Sequence, residues 1–155
     1  MSIGTICNQE VVVAGRGITA RAAAQMMRER HVGSLVVIDE DDERRTPIGM
    51  VTDRDIVVAV VALGLDAEAI RVEDVMSAEL LAVEEDAGIA ETLELMHLRG
   101  VRRLPVTRAG GALIGIVTVD DLFSLLAEEM ASLAKIVSRG RKREVESRRN
   151  GRNAR

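Results

Sequence analysis

The sequence predicts a mixed α/β fold of two βαββα repeats packed about a pseudo-twofold axis, followed by an extension of the last helix and a basic tail. Three observations point there. The chain matches itself at a nearly constant offset, its apolar residues switch between helical and strand periods in the same order in both copies, and its charge changes sign near residue 135. With 155 residues, 47% hydrophobic and 30% charged, the chain can bury a core, and its composition is not that of a disordered protein.

The elements follow in order. Met27-Arg-Glu-Arg-His-Val-Gly-Ser-Leu-Val-Val37 aligns with Met96-His-Leu-Arg-Gly-Val-Arg-Arg-Leu-Pro-Val106 at an offset of 69, the distance from Val32 to Val101. That offset also pairs Ile3 with Val72, Ile6 with Val75 and Cys7 with Met76, so each copy opens with a comparable short segment. A first helix follows, with Ala22, Ala23, Met26 and Met27 in one copy and Ile89, Leu93 and Met96 in the other as its buried stripe. Leu35–Ile38 and Ile48–Val51, matched by Leu104–Val106 and Leu113–Val117, are short β-branched runs bounded by Gly, Asp and Pro and read as strands. Pro105 lacks a donor, which places it at an edge or a strand start, with something other than another strand facing it. The second strand and helix start, Ile48 to Ile56, matches Ile114 to Leu122 at an offset of 66. The first copy therefore carries a loop three residues longer, within Glu40 to Pro47, which belongs on the surface. A second helix runs from Asp53 to Leu63 and ends near Gly64. Its counterpart starts at Val119 and extends much further, with Leu122, Leu126, Met130, Leu133 and Val137 along one stripe. The expected divisions are residues 1–70, 71–138 and a disordered tail, 139–155.

Charge divides the chain differently. From Met1 to Ala134 there are 12 Lys and Arg against 23 Asp and Glu, whereas Lys135 to Arg155 holds 9 against 2, so balances of -11 and +7 sum to the net -4. A basic tail on an acidic body is read as a solubilising end or as an arm for phosphate backbones. One Phe, no Trp and no Tyr exclude an aromatic platform for stacking single-stranded nucleic acid. A single cysteine, Cys7, forms no internal disulfide, and two histidines, His31 and His97, are too few for a dedicated zinc site. The longest apolar run, Ile56 to Leu65, is 10 residues, against the roughly 20 of a membrane span. No secretory signal is visible at the start, and a cytoplasmic protein with no membrane association is expected.

Four stretches bear on function: Asp74-Val-Met-Ser77 at the junction, Val101-Arg-Arg-Leu-Pro-Val106, and two Gly-x-x-Thr-x-x-Asp motifs, Gly49 to Asp55 and Gly115 to Asp121. In their order and repetition, over roughly Ile3 to Leu126, they resemble the CBS domain family, named for cystathionine β-synthase, whose members occur as tandem pairs. The resemblance implies a regulatory, non-catalytic module that holds AMP, ADP, ATP, S-adenosylmethionine or NAD in clefts between repeats. Of these ligands an adenine nucleotide, AMP or ATP, is the expected one, with Mg2+ only where it accompanies a polyphosphate. It also implies that Thr52 and Thr118 contact phosphate, that Asp55 and Asp121 bind ribose hydroxyls, and that Leu104 and Pro105 help enclose adenine. Homodimerisation and signalling to an unidentified protein partner, or to the chain's own oligomer, are implied as well.

Physical chemistry supports part of this and offers a rival. A Thr between strand and helix presents backbone N–H groups to an anion, and an Asp three residues on can accept two hydrogen bonds from a cis-diol. The same Thr-x-x-Asp pattern is also a capping box, which needs no ligand. The two copies differ in charge: Arg54 aligns with Asp120, so the Thr52 corner favours a polyphosphate and the Thr118 corner disfavours it. Arg102 and Arg103 alternate along a strand, and Arg103, equivalent to Ser34, is the one expected to face inward. His31 and His97 do not align with each other and are read as surface or capping residues. No nucleophile elbow, zinc-binding His-Glu-x-x-His or phosphate-binding P-loop occurs, so no enzyme is expected. The competing reading is a structural or interaction protein whose tail, Gly140 to Arg155, associates with nucleic acid.

Overall fold

A computed structural model describes residues 1–39, 44–77 and 79–152, of 142–152 the backbone only. The chain falls into two units, Met1–Thr118 and Val119–Arg155. In the first unit, β1 (Val13–Gly15), α1 (Ala20–Arg30), β2 (Ser34–Ile38), β3 (Pro47–Thr52) and α2 (Asp53–Ile56) form one repeat. After α3 (Val72–Val75), the order returns as β4 (Val83–Glu84), α4 (Ile89–Arg99), β5 (Arg103–Thr107) and β6 (Leu113–Thr118). Each repeat makes a three-stranded mixed sheet, ordered β1-β2-β3 and β4-β5-β6, with a parallel first pair and an antiparallel second pair. Both hairpins shift register at the same place, Val37/Ile38 and Val106/Thr107. The sequence repeat is therefore a backbone repeat down to its irregularities.

The helix stripes carry the core. Ala23, Met27, Leu35, Val37, Val51 and Ile56 pack together in the first repeat, while Ile3, Val83, Met96, Leu104, Val106 and Val117 are buried in or beside the second. Leu93, expected on the buried stripe of α4, is exposed, and Thr92 is buried instead. Thr92 meets the cost of burying its hydroxyl by donating Oγ1–H to the Gly88 carbonyl one turn back, at 2.9 Å.

The segments that open the repeats are exchanged. Residues 1–9 join the second sheet: the Ile3 N–H donates to Ala87 O at 2.9 Å, Gly4 N–H to Glu85 O at 2.7 Å and Asn8 N–H to Ile116 O at 2.9 Å. The segment around α3 joins the first sheet through Val72 N–H to Ile18 O at 2.9 Å, Glu73 N–H to Arg16 O at 3.1 Å and Ser77 N–H to Met50 O at 2.9 Å. Every bond in one set has its partner in the other at an offset of 69 or 66. Val72, with Val75 and Met76 beside it, accordingly packs into the first repeat's core.

Pro105 lies in the central strand of its sheet, not at an edge. Its position is tolerated because β4 is short and pairs only with Val106 and Thr107, while β6 faces Pro105 from the other side at Ile116. At the equivalent place, Val36 has an N–H and donates it to Val12 O at 3.1 Å. The missing donor thus trims the neighbouring strand rather than moving the proline outward.

The second helix of the first repeat is α-helical only to Ile56 and continues as a π-helix over Val57–Val61, before Gly64 takes a positive φ of 65°. Four valines among those five residues disfavour a tight α-turn, since β-branched side chains crowd the preceding turn. Of the long loop, residues 40–43 lie outside the described residues, and Arg44 and Arg45 are exposed.

The second unit is the helix α5, Val119–Arg152. It runs through most of the segment expected as a disordered tail, with 153–155 outside the described residues. Arg, Lys and Glu are strong helix formers, and their abundance in residues 139–149 favours the helix. No helix among the described residues is long and apolar enough to cross a membrane.

Candidate functional site

The first unit holds a cavity of about 520 Å³, within the range of small-molecule sites, at the junction of its two repeats. The β3–α2 corner contributes Met50, Thr52, Asp53, Arg54 and Asp55; the segment after α3 contributes Ser77, Glu79 and Leu81; the α4–β5 turn contributes Gly100, Val101, Arg102 and Arg103. Four expected site residues, Thr52, Arg54, Asp55 and Arg103, are thereby brought together.

Local chemistry fixes the corner. Thr52 ends β3 with extended backbone and caps α2: its Oγ1 accepts the Asp55 N–H at 3.1 Å, while Asp55 Oδ2 accepts the Thr52 N–H at 2.8 Å and its hydroxyl at 2.7 Å. The capping box of the rival reading is therefore formed. All the bonds that Asp55 accepts in it fall on Oδ2, and Oδ1 takes no part. Asp53 N–H donates to Gly33 O at 3.1 Å, which ties the corner to the turn before β2.

Arg103 reaches across from the other repeat. Its Nη1 donates to Ser34 Oγ at 2.8 Å, so the two residues equivalent by the 69-residue offset touch each other. A residue and its own repeat equivalent can meet only where the pseudo-twofold axis passes, and the Arg103–Ser34 bond marks that axis at the cavity wall. Gly33 lies beneath: a Cβ there would stand 3.3 Å from Asp53 Oδ2 and 3.7 Å from Arg103 Nη1. Arg102, exposed, also lines the cavity. Glu79 is held from the side by Arg99, Nη1 to Oε1 at 3.2 Å. Three guanidinium groups thus share the site with three carboxylates, above an apolar floor of Met50, Leu81 and Val101.

The remaining expected residues lie elsewhere. Leu104 and Pro105 are buried in β5 and do not line the cavity. Thr118 ends β6 in the first unit, and Asp120 and Asp121 stand in the first turn of α5 in the second. Met50, Ser77, Glu79 and Leu81 were not anticipated as lining. Ser77 had a signal, because it closes the Asp74-Val-Met-Ser77 stretch at the junction of the repeats. Among the described residues, no group of three or more His, Cys, Asp and Glu side chains is placed to hold a metal ion. His31 ends α1 in the left-handed region at φ 54°, where Gly100 ends α4 at φ 64°.

Comparison with known proteins follows the same lines. A family model for the CBS domain matches residues 3–62 and again 72–128. Hypoxic response protein 1 of Mycobacterium tuberculosis is 38% identical over 123 residues, 79% of this chain and 83% of that protein. An uncharacterized protein of Methanopyrus kandleri is 38% identical over 125 residues, 81% of this chain but only 62% of its own length. Among solved structures, Hypoxic Response Protein I with two coordinated zinc ions matches with a TM-score of 0.71 and 36% identity, covering 80% of this chain and 98% of that one. A CBS domain protein of Pyrobaculum aerophilum complexed with AMP shares the fold, with a TM-score of 0.72 at 23% identity over 79% of this chain and 90% of that one.

Proposed function

The chain belongs to the CBS domain family and carries two copies of that domain, and on that premise we propose that it is a non-catalytic sensor of adenosyl nucleotides. AMP or ATP occupies the cavity at the β3–α2 corner. The observation that carries this reading is the convergence of Thr52, Arg54 and Asp55 from one repeat with Arg103 from the other around a 520 Å³ space.

Each group has a task suited to its chemistry. Arg54 and Arg103 neutralise phosphate, Arg103 being pre-positioned by Ser34 so that little side-chain freedom is lost on binding. Asp55 accepts the ribose hydroxyls through Oδ1, leaving the capping bonds on Oδ2 in place. Met50, Leu81 and Val101 take the adenine face, the aliphatic solution for a chain with one phenylalanine. Mg2+ enters only with a polyphosphate. The second Thr-x-x-Asp motif, whose Asp120 stands in sequence where the first has Arg54, is disfavoured for a polyphosphate, and occupancy is passed to a protein partner or to the chain's own assembly by differential affinity for two states.

Calorimetry and thermal shift with AMP, ATP, S-adenosylmethionine and NAD test the reading. Binding is expected for AMP or ATP, weakened about tenfold or more by Arg103→Ala, as befits loss of a charge-assisted contact. Asp55→Ala is expected to cost more affinity than Asp121→Ala. No shift with any of the four ligands overturns the proposal, and equal losses in the two aspartate variants overturn the inequality of the corners.

A further inference from the structure

The long helix α5 leaves an apolar seam in solvent. Phe123, Leu126, Met130, Leu133 and Val137 are spaced 3, 4, 3 and 4 residues apart, the a and d positions of a heptad repeat, and are between 46% and 73% exposed. A seam of five large side chains along one helix exceeds the scattered apolar residues of an ordinary surface. We propose that α5 pairs with α5 of a second copy of this chain as a short antiparallel coiled coil. The inference does not depend on what fills the nucleotide cavity.

Charge selects the second copy and its direction. Residues 119–134 contain four acidic residues, Asp120, Asp121, Glu128 and Glu129, and no basic one, whereas Lys135, Arg139 and Arg141 follow at once, all three exposed. Side by side in parallel, each half would meet its own like charge. Reversed, the acidic half of one helix lies along the basic half of the other, an arrangement that self-association supplies with no other partner.

A glycine sets the register. Gly140 falls on the next seam position after Val137, in the helix interior, where it weakens the helix, and a Cβ there would meet nothing within 4 Å. Antiparallel pairing with Met130 against Leu133 and Leu126 against Val137 puts Phe123 against Gly140. The largest seam residue then faces the position with no side chain, at both ends of the coil. The same register brings Asp120 and Arg141 to one flank of the seam.

Disulfide trapping in a Cys7→Ser background tests both partner and direction in the full chain. Leu126→Cys mixed with Val137→Cys is expected to yield a cross-linked dimer on mild oxidation, while neither variant cross-links with itself. Sedimentation of Met130→Glu/Leu133→Glu, two exposed sites whose substitution leaves each chain's core intact, is expected to show a lower particle mass and an apparent dissociation constant raised about tenfold or more. Self-cross-linking of Leu126→Cys means a parallel pair and overturns the proposal. An unchanged particle mass in the double variant, or a wild-type chain monomeric at every concentration, overturns it equally.

Discussion

Where the segment around α3 meets the first sheet, Glu73 N–H donates to Arg16 O beneath an exposed Arg16–Glu73 ion pair at 3.9 Å. Where residues 1–9 meet the second sheet, the equivalent Gly4 N–H donates to Glu85 O at 2.7 Å, and a Cβ on Gly4 would stand 2.8 Å from Glu85 Cβ and 2.9 Å from its carbonyl oxygen. The backbone bond is kept and the side-chain environment is inverted, from an open, charged crossing to one in which two main chains touch. The pseudo-twofold is thus held by main-chain geometry, and side chains are at liberty to differ about it.

Substitutions at equivalent positions sharpen that contrast. Gly4→Ala is expected to lose about 2 to 3 kcal/mol in urea unfolding, because the obstructing atoms are largely backbone and cannot turn aside. Glu73→Ala removes only an exposed ion pair and should cost under about 1 kcal/mol. Equal losses would mean that the crossing at Gly4 is more pliant than its distances imply.

The helix starts come next in size. Thr19 caps α1 by accepting the Ala22 N–H at 3.1 Å, whereas the equivalent Gly88 gives α4 no side-chain cap. Thr19→Ala should destabilise by about 1 kcal/mol, and Gly88→Ser should stabilise by a few tenths, roughly 0.3 kcal/mol. Thermal unfolding of the two variants would show midpoints moving in opposite directions, and parallel movement would count against the assignment of Gly88 as an uncapped start. The helix ends carry effects of similar size. His31 pays for a left-handed backbone that Gly100 adopts at no steric cost, so His31→Gly should gain about 0.5 kcal/mol while Gly100→Ala loses about 1 kcal/mol.

The repeat made much of this architecture legible in advance. Offsets of 69 and 66 located the two hairpins, β2–β3 and β5–β6, and the Thr-x-x-Asp corner, because duplicated backbone needs duplicated turn and core residues, whereas β1 and β4, of three and two residues, carry too short a run to read. Pro105 misled for an instructive reason: its missing donor bears on the strand beside it, and nothing in one sequence says that β4 stops short of it. Leu93 misled through periodicity, since Thr92 can occupy a buried position once its hydroxyl bonds one turn back. Leu104 and Pro105 carry the motif's identity yet lie behind the cavity, whereas Glu79 and Leu81 line it from a segment with no motif at all. Such residues are recruited by a crossing of chains far apart in sequence, which pattern along the chain does not record. The Arg103–Ser34 contact was recoverable in principle from the offset, but only once the axis was known to pass there.

The exchange of opening segments also orders events during synthesis. When residue 70 leaves the ribosome, the first sheet still lacks the segment around α3, and residues 1–9 have no sheet to join until β6, more than one hundred residues later, has been made. Residues 1–9 are made before either sheet and are among the last parts of the fold to find their place. Neither repeat is a detachable module, and a chain cut between them would leave each half holding a segment that belongs to the other.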